Sequence, residues 1–598
     1  MIILGITDGQ TSGAAIVKDG KLLAAINEER LSRLKQARGF PRASITAVMD
    51  IAGVKPEDID GVAVAQHNME FRNDVCEWQG WFEERSDFRD AHNLFFNIGS
   101  RFGFLAEKFP PLRGLYYGLR TPIYVQRRKT VCRILKEEYS IQAPVTFPNH
   151  HYCHAASAYY TSGFDDALVL TMDGGGDGSS SHVYAARSGK LELKLKIDSF
   201  DSLGNYYAYI TAILGHKAKK HEGKVTGLAA YGQPIYYKVL NSLIAYVGGR
   251  TVNRGGVLFY SALKKIKRLI GNDYKKEDLA ASIQKLSEDI CREHVSFWGQ
   301  RTGQRKVALA GGVFSNVRIN QEIHELPDVE ELYVHPGMSD EGIGVGAALA
   351  LWAENVLAQG GVPRTDMVGD VYLGWGFSED EIEADIKRAG LEFHRSHQVE
   401  REIAALLADG YVVARFNGRM EYGPRALGNR SILYQPTDPS VNDWLNQNLV
   451  RTEYMPFAPS TLAEYADQCF IGVDGAFDTA RFMTITFDCT EWMKEHCPGV
   501  VHVDGTARPQ LVRKEDNSSY HQIIQEFYHL TGLPAIINTS FNMHEEPIVC
   551  TPTDAIRSFQ RGHLDYLALG PFVIKNSGPL NHPLLSVRQQ VAVGGDGD

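Results

Sequence analysis

The stretch Pro148-Asn149-His150-His151-Tyr152-Cys153-His154-Ala155-Ala156-Ser157-Ala158 holds the side chains best suited to gripping a metal, and helical character runs on through Tyr159 and Tyr160. On a helix His150 and His154 stand at i and i+4, so their imidazoles share one face and can hold one ion. His151 points elsewhere. An isolated pair of this kind is more often a polar helix start with locally packed histidines. Here two carboxylate stretches match it in character. Leu168 to Gly178 reads as an apolar strand that reaches Asp173 and then a glycine-rich turn; Leu332 to Gly342 reads as another, leading to Asp340 and a small-residue helix. Two histidines and two aspartates at the ends of neighbouring elements would form a mixed nitrogen and oxygen site, suited to iron, zinc or manganese.

Other stretches are suited to anions. Between Val412 and Ile432 the chain places Arg419, Arg425 and Arg430 among glycines after a strand. Guanidinium groups beside glycine backbone recognise phosphate, carbamate or carboxylate; the plainer alternative is structural ion pairing. Ala535 to Val549 ends a strand with Asn538, Thr539, Ser540 and Asn542, donors able to hold a nucleotide or a transition-state oxygen. His221 to Gly232 offers Lys224 among glycines. Val307 to Asn320 reads as a strand, a Gly311-Gly312 turn and a helix start, which suits a nucleotide phosphate or a sugar. The cations Arg30, Arg33, Lys35 and Arg38 fit an anionic substrate as well as a solvated edge.

The elements that must position these groups are legible in outline. Residues 2–7 form an apolar strand, Asp8-Gly9 begins a tight turn, and Asp19-Gly20 closes a hairpin. Actin-like and sugar-kinase-like domains begin in this way, with turn N–H groups able to face an anion. A helix is expected from Pro41 to Gly53, a strand at Gly61–Ala65, an amphipathic helix over 278–300 and a small-residue helix from Gly342 to Glu354. Residues 67–140, rich in aromatics, read as a mostly helical insert, either an interaction face or a lid over an acceptor pocket. No internal repeat is visible in the sequence.

At 598 residues the chain is too long for one core. Gln359-Gly-Gly-Val-Pro363 is the best linker, giving domains over 1–358 and 364–577 and a frayed tail over 578–598. With 44% hydrophobic and 22% charged residues the composition is that of a globular protein, and no run approaches the roughly 20 apolar residues of a membrane span. The start lacks a basic signal-peptide region, so cytoplasm is the default. The 8 cysteines are scattered without a CxxC pair. A net charge of −10 argues against non-specific nucleic-acid binding.

In combination, GRMEYGPRALGNRSI (418–432), INTSFN (537–542), GGVFSN (311–316) and HHxxHAASA (150–158) resemble the carbamoyltransferase family that includes nodulation-factor, cephamycin and tobramycin O-carbamoyltransferases. The resemblance runs from Met1 to about Phe572. It implies an α/β chain in which an N-terminal actin-like ASKHA domain, similar to the tRNA threonylcarbamoyl-transfer protein, is fused to a YrdC-like domain, similar to threonylcarbamoyl-adenylate synthases. The C-terminal domain would make carbamoyl-adenylate from carbamoyl phosphate and Mg-ATP. The N-terminal domain would pass the carbamoyl group to a hydroxyl of a small-molecule natural-product acceptor. By the motif match, His150, His154, Asp173 and Asp340 would hold a divalent metal, Fe(II) in this family. Arg419, Arg425, Arg430, Arg451 and Ser540 would line the activation site, and Lys35, Asn538 and Thr539 would bind substrate or nucleotide. Lys224, Gly311, Gly312, Asn316 and Asn320 would cradle the adenylate, and Asp8 would stand near the acceptor hydroxyl. A homodimer is also implied; nucleic-acid and membrane partners are not.

Some residues depart from the family pattern. Gln10 stands where a histidine is common, Gln36 follows Lys35 where Lys-His is common, and Glu545 replaces a common glycine. If that histidine is the family's general base, an amide, which does not titrate, cannot replace it; then His151, or Asp8 alone, would assist the acceptor hydroxyl, or this chain treats its acceptor differently. Two other readings compete. A fused tRNA threonylcarbamoyl transferase is disfavoured by the net acidity and the aromatic insert. A non-catalytic actin-like nucleotide-binding protein is disfavoured because a pure binder needs only one of the metal quartet and the arginine block.

Overall fold

The computed structural model describes residues 1–82, 111–450 and 454–577. Part of the aromatic insert, Arg451 and the tail over 578–598 lie outside the described residues. The chain divides into two compact units: Met1–Glu28 with Gln36–Val368, and Glu29–Lys35 with the chain from Gly369 onward. The seam falls after the Gln359–Pro363 linker because the Asp366 and Val368 N–H groups still donate to the carbonyls of Tyr160 and Thr161.

In the first unit the strands β1 (Ile2–Thr7), β2 (Gly13–Lys18), β3 (Lys21–Asn27), β4 (Gly61–Val64) and β5 (Val145–Thr146) form a five-stranded sheet ordered β3-β2-β1-β4-β5. β1, β2 and β3 pair antiparallel, and β4 and β5 add parallel to β1. The strands β6 (Asp166–Gly176), β7 (Ser179–Arg187), β8 (Lys190–Asp198), β9 (Lys306–Ala310) and β10 (Glu331–Val334) repeat that plan as β8-β7-β6-β9-β10, with the same senses of pairing. The fold is thus a tandem of one strand plan, as the actin-like expectation requires, although no repeat is visible in the sequence. Topology depends only on where apolar runs begin and turn, and that leaves the individual residues free to diverge. The central runs Leu168–Leu170 and Val307–Leu309 are buried, as parallel strands covered on both faces must be.

Two helices tie the copies together. Helix α2 (His150–Tyr160) follows the last strand of the first sheet yet packs on β6, β7 and β9 of the second. Helix α7 (Ile343–Ala358) follows the last strand of the second sheet yet packs on β1, β2 and β4 of the first, and on α2. The contact is close enough to need glycine. A Cβ on Gly346 would fall 1.8 Å from the Cys153 carbonyl oxygen, and one on Gly5 would fall 2.0 Å from that of Gly344. The other helices used below are α1 (Pro111–Glu137), α3 (Leu203–Ile213), α4 (Glu222–Ala229), α5 (Lys276–Thr302) and α6 (Val317–His324). Described parts of the 67–140 insert are the helix α1 and a short strand at Cys76–Glu77.

The second unit is built on a mixed eight-stranded sheet. Its strands are β11 (His394–Arg395), β12 (Val413–Phe416), β13 (Arg430–Tyr434), β14 (Ala458–Leu462), β15 (Gln510–Val512), β16 (Ala535–Ser540), β17 (Tyr566–Leu569) and β18 (Phe572–Lys575), in the order β11-β18-β17-β12-β13-β16-β14-β15. β12 and β13 pair antiparallel, and the loop between them carries the arginine-rich motif. β13 in turn pairs antiparallel with β16, placing Ser431 opposite Ser540 and Leu433 opposite Asn538.

Candidate active site

The fold explains how four metal-binding side chains meet in the first unit. Asn149 caps α2, its side chain accepting the N–H groups of His151 and Tyr152. Asp177 accepts the His150 N–H at 2.8 Å and those of His67 and Asn68 at 2.9 and 2.7 Å. These caps start the helix at His150, so His150 and His154 lie one above the other at its opening. Asp173 comes from a break in the β6–β7 register between Met172 and Gly176, where the extra residues bulge out of the ladder. Asp340 begins a 3-10 turn directly ahead of α7. The parallel strands β6, β9 and β10 all end on this side, which is where loops of such a sheet form ligand sites.

His150, His154, Asp173 and Asp340 bring one ligand atom each to within 4.8 Å of one another. His150 Nε2 meets Asp173 Oδ2 at 2.5 Å, and His154 Nε2 lies 3.6 Å from that atom and 3.5 Å from Asp340 Oδ1. Both ring nitrogens of His154 and Oδ1 of Asp173 are buried without a hydrogen-bond partner. Buried polar atoms left bare are costly, and a cation bridging them removes that cost. The donor set therefore fits a divalent ion that accepts both imidazole and carboxylate.

The electrostatics agree. Burial works to lower the His150 pKa, but Asp173, Asp340 and Asp177 outweigh it and hold it at about 9. Burial works to raise that of Asp173, yet the charges of His151 and His150 and the hydrogen bond of His150 take it well below the usual carboxylate range. The Gln66 side-chain amide lies 2.7 Å from His150 Nδ1. The Gln66 atom nearest is Nε2; with His150 Nε2 facing a metal, Nδ1 would carry the proton, and the Gln66 amide would turn over to present its oxygen to it.

The other expected residues of this unit have distinct surroundings. His151 is fully buried, and burial takes its pKa down to about 4. Its Nε2 is 3.0 Å from the Ser179 carbonyl oxygen and its Nδ1 2.9 Å from Thr171 Oγ1, so Nε2–H donates and Nδ1 accepts from the hydroxyl. Asp8 ends β1 as Asp173 ends the unbroken part of β6. Arg127 of α1 clamps it, donating from Nε and Nη2 to its two oxygens at 2.9 and 2.6 Å, and donates also to the Gln66 and Ala65 carbonyls. Asp8 is thus half of a buried ion pair, with both of its oxygens engaged by Arg127. Gly311 has φ 107° and packs on the backbone of Met172. Gly312 lies beside Ser339. Asn316 caps α6 and also donates to Gln284 of α5 at 2.7 Å, while Asn320 donates to the Phe314 carbonyl at 2.8 Å. Lys224 is buried within α4.

In the second unit the strand pairing brings together motifs more than a hundred residues apart in sequence. The Phe541 N–H donates to the Arg430 carbonyl at 3.0 Å, and Asn538 Nδ2 to that of Ala426 at 3.2 Å. Arg425 is half-buried in the turn so formed, Ser540 is half-buried at the end of β16, and Thr539 is buried beside it. Arg430 is a different case. Its Nη1 donates to the carbonyls of Asn417 and Asn429, its Nη2 to those of Trp375 and Gly418, and its face lies 3.6 Å from the Phe416 ring centroid. Its terminal donors thus hold the loop and are not offered to a phosphate. Arg419 donates to the Leu373 and Gly374 carbonyls. Lys35 donates to the Glu546 carbonyl at 3.3 Å, within a segment where Arg33 donates to those of Pro547 and Ile548. Glu421 is the organiser that sequence reasoning missed: its Oε1 accepts the N–H groups of Leu427, Asn429 and Arg430 at 2.9, 2.7 and 3.0 Å. Gln66, Arg127 and Asp177 were missed in the first unit. Asp177, at the far end of the glycine-rich turn that follows Asp173, was the one with a visible signal.

Two family models match the chain, described as Carbamoyltransferase N-terminus over residues 2–349 and Carbamoyltransferase C-terminus over residues 404–576. Among curated relatives, an uncharacterized protein of Methanocaldococcus jannaschii is 31% identical over 96% of this chain and 99% of its own length. Nodulation protein NolNO of Sinorhizobium fredii is 31% identical over 94% of this chain and 78% of its own. Nodulation protein U of Rhizobium tropici is 25% identical over 95% of each. Among solved structures, component A of the Acidaminococcus fermentans (R)-2-hydroxyglutaryl-CoA dehydratase aligns with a TM-score of 0.32 at 17% identity, covering 59% of this chain and 99% of that one.

Proposed function

The chain belongs to the carbamoyltransferase family, and on that premise we propose how its two units divide the reaction. It is an ATP-dependent O-carbamoyltransferase that draws on carbamoyl phosphate. In our reading the second unit, in a YrdC-like role, releases phosphate from carbamoyl phosphate by hydrolysis. The carbamate oxygen then attacks the α-phosphorus of Mg-ATP, forming carbamoyl-adenylate and expelling pyrophosphate. The first unit takes that mixed anhydride and delivers its carbamoyl carbon to a hydroxyl of a small-molecule acceptor, with AMP as the leaving group. A free carbamate is a sluggish electrophile, and adenylation supplies the leaving group it lacks.

The convergence of His150, His154, Asp173 and Asp340 on one buried point, with His154 bare of hydrogen bonds, carries the reading of the first unit. These residues would hold a divalent ion, iron(II) in our proposal, which when bound supplies Lewis acidity toward the carbamoyl or phosphoryl oxygen. Gln66 and Asp177 orient His150, the one from its Nδ1 side and the other through the start of α2. His151, neutral between Thr171 and Ser179, keeps the ligand layer in register. In the second unit Arg425 is the cation assigned to the reacting phosphates, and Ser540 and Thr539 supply hydroxyls beside it. Arg430 and Glu421 shape the loop that presents Arg425.

Pyrophosphate release from ATP, followed with and without carbamoyl phosphate, tests the division. Wild type should release pyrophosphate only when carbamoyl phosphate is present. Arg425→Ala should abolish the release, and His154→Ala should spare it while losing bound metal. Release that ignores carbamoyl phosphate would refute the activation step.

A further inference from the structure

Lys219 lies in the loop between α3 and α4, with a left-handed backbone at φ 69°. Its ammonium reaches the glycine bulge that carries Asp173. A Cβ on Gly174 would fall 1.3 Å from Lys219 Nζ and 2.9 Å from Asn205 Oδ1. On its other side the ammonium rests 4.6 Å from the centroid of Trp81. The backbone on both sides is held: the Lys219 N–H donates to Glu222 Oε1, and the Trp81 N–H to the Ala218 carbonyl. Asp173 and Asp340 both act on Lys219 electrostatically.

A second observation points to the same place. Asn205, in the first turn of α3, is 5% exposed, and its Oδ1 is buried without a hydrogen-bond partner. Ser202 ties that turn to the bulge by donating to the Asp173 carbonyl at 2.9 Å. The bulge, the amide and the ammonium therefore form one braced group next to the metal ligands. A cation held on an aromatic face, beside a bare acceptor and a backbone with no Cβ, is complementary to a ligand that carries an oxyanion with a donor close by.

We propose that Lys219, with Asn205 and the Gly174 bulge, forms the subsite that seats the phosphoryl group of the adenylate in the first unit. The proposal rests on the carbamoyl-adenylate reading of that unit. Lys219 contacts a phosphoryl oxygen, Asn205 Oδ1 accepts a donor of the same ligand, and Trp81 is a positioning residue that holds the ammonium in place.

Calorimetric titration with AMP and, separately, with adenosine tests this in the full chain, in an Arg425→Ala background that disables the other adenylate site. The parent should bind AMP about 10- to 100-fold more tightly than adenosine, the range of a charge-assisted hydrogen bond. Lys219→Met should erase that preference without changing adenosine affinity, and Lys219→Arg should keep part of it. Gly174→Ala should act like Lys219→Met; should it fail to fold, the lysine pair decides alone. AMP preference that survives Lys219→Met, or equal loss of AMP and adenosine binding, overturns the subsite and leaves the adenylate reading standing. A parent that binds neither ligand overturns both.

Discussion

At the scale of single residues, the metal site depends on partners that carry no ligand atom. His150 can face an ion only in one ring orientation and one tautomer; Gln66, 2.7 Å from its Nδ1, fixes the ring orientation and, with its amide oxygen turned inward, the tautomer as well. Groups of this kind orient the ligand ring and set its basicity toward the metal. Replacing Gln66 with leucine should therefore weaken metal binding by about 10- to 100-fold. Competition against a chelator of known affinity would measure it, with circular dichroism unchanged. The Asp8–Arg127 pair makes the complementary point. An aspartate at a strand end beside a glycine looks chemical in sequence, yet its meaning depends on whether a guanidinium reaches it, and Arg127 does so from more than a hundred residues away.

At the scale of elements, α2 and α7 do the assembling. Each follows the last strand of one sheet and packs on the other, so His150 and His154 from one copy of the strand plan meet Asp340 from the other. The arrangement needs a close helix contact, made possible by Gly346 against the Cys153 carbonyl. A methyl group there has no room, and core overpacking costs roughly 1–3 kcal/mol or more. Gly346→Ala should lower the first unit's unfolding midpoint by several degrees and reduce bound metal with it, read by calorimetry and elemental analysis of the same sample. Loss of stability with the metal fully retained would show that the contact supports the core alone. In the second unit the element that matters is the β12–β13 loop. Glu421 gathers three backbone N–H groups at its neck, and Arg430 closes it through carbonyls.

At the scale of the whole molecule, chain order and compact units do not coincide. Residues 29–35 lie early in the sequence but belong with the unit that begins at Gly369. Arg33 is the main tie, donating to the Pro547 and Ile548 carbonyls at 2.7 and 2.6 Å and lying 3.5 Å from Asp554. Arg33→Ala should accordingly raise amide hydrogen exchange around 546–554 by about tenfold or more, since a hydrogen bond to a charged donor is worth about 1.5–3 kcal/mol. Exchange in β1 to β3, its neighbours in sequence, should stay as it was. The four cations of that stretch, ambiguous by composition between substrate binding and a solvated edge, include three that hold backbone carbonyls of the second unit, Arg30, Arg33 and Lys35.

The amino-acid order by itself determined the long apolar strands such as Ile2–Thr7 and the run that leads to Asp173, the hairpin at Asp19-Gly20, the helix spacing of His150 and His154, and the motifs that mark the family, because each of these is a local pattern of apolar period, turn residue or fixed interval. It also sufficed to pair the histidines with Asp173 and Asp340 as candidate ligands. Only the tertiary structure decided which charged groups are available for chemistry. Arg430 reads like Arg425 in sequence, but folding surrounds it with four carbonyl oxygens. Lys219 is unremarked in sequence beside Lys224, but folding brings it onto Gly174 and Trp81. The duplication of the strand plan was likewise hidden until the sheets formed. The physical reason is the same in each case: local pattern sets where elements begin and end, whereas the partner of a long polar side chain is set by contacts between elements distant in sequence.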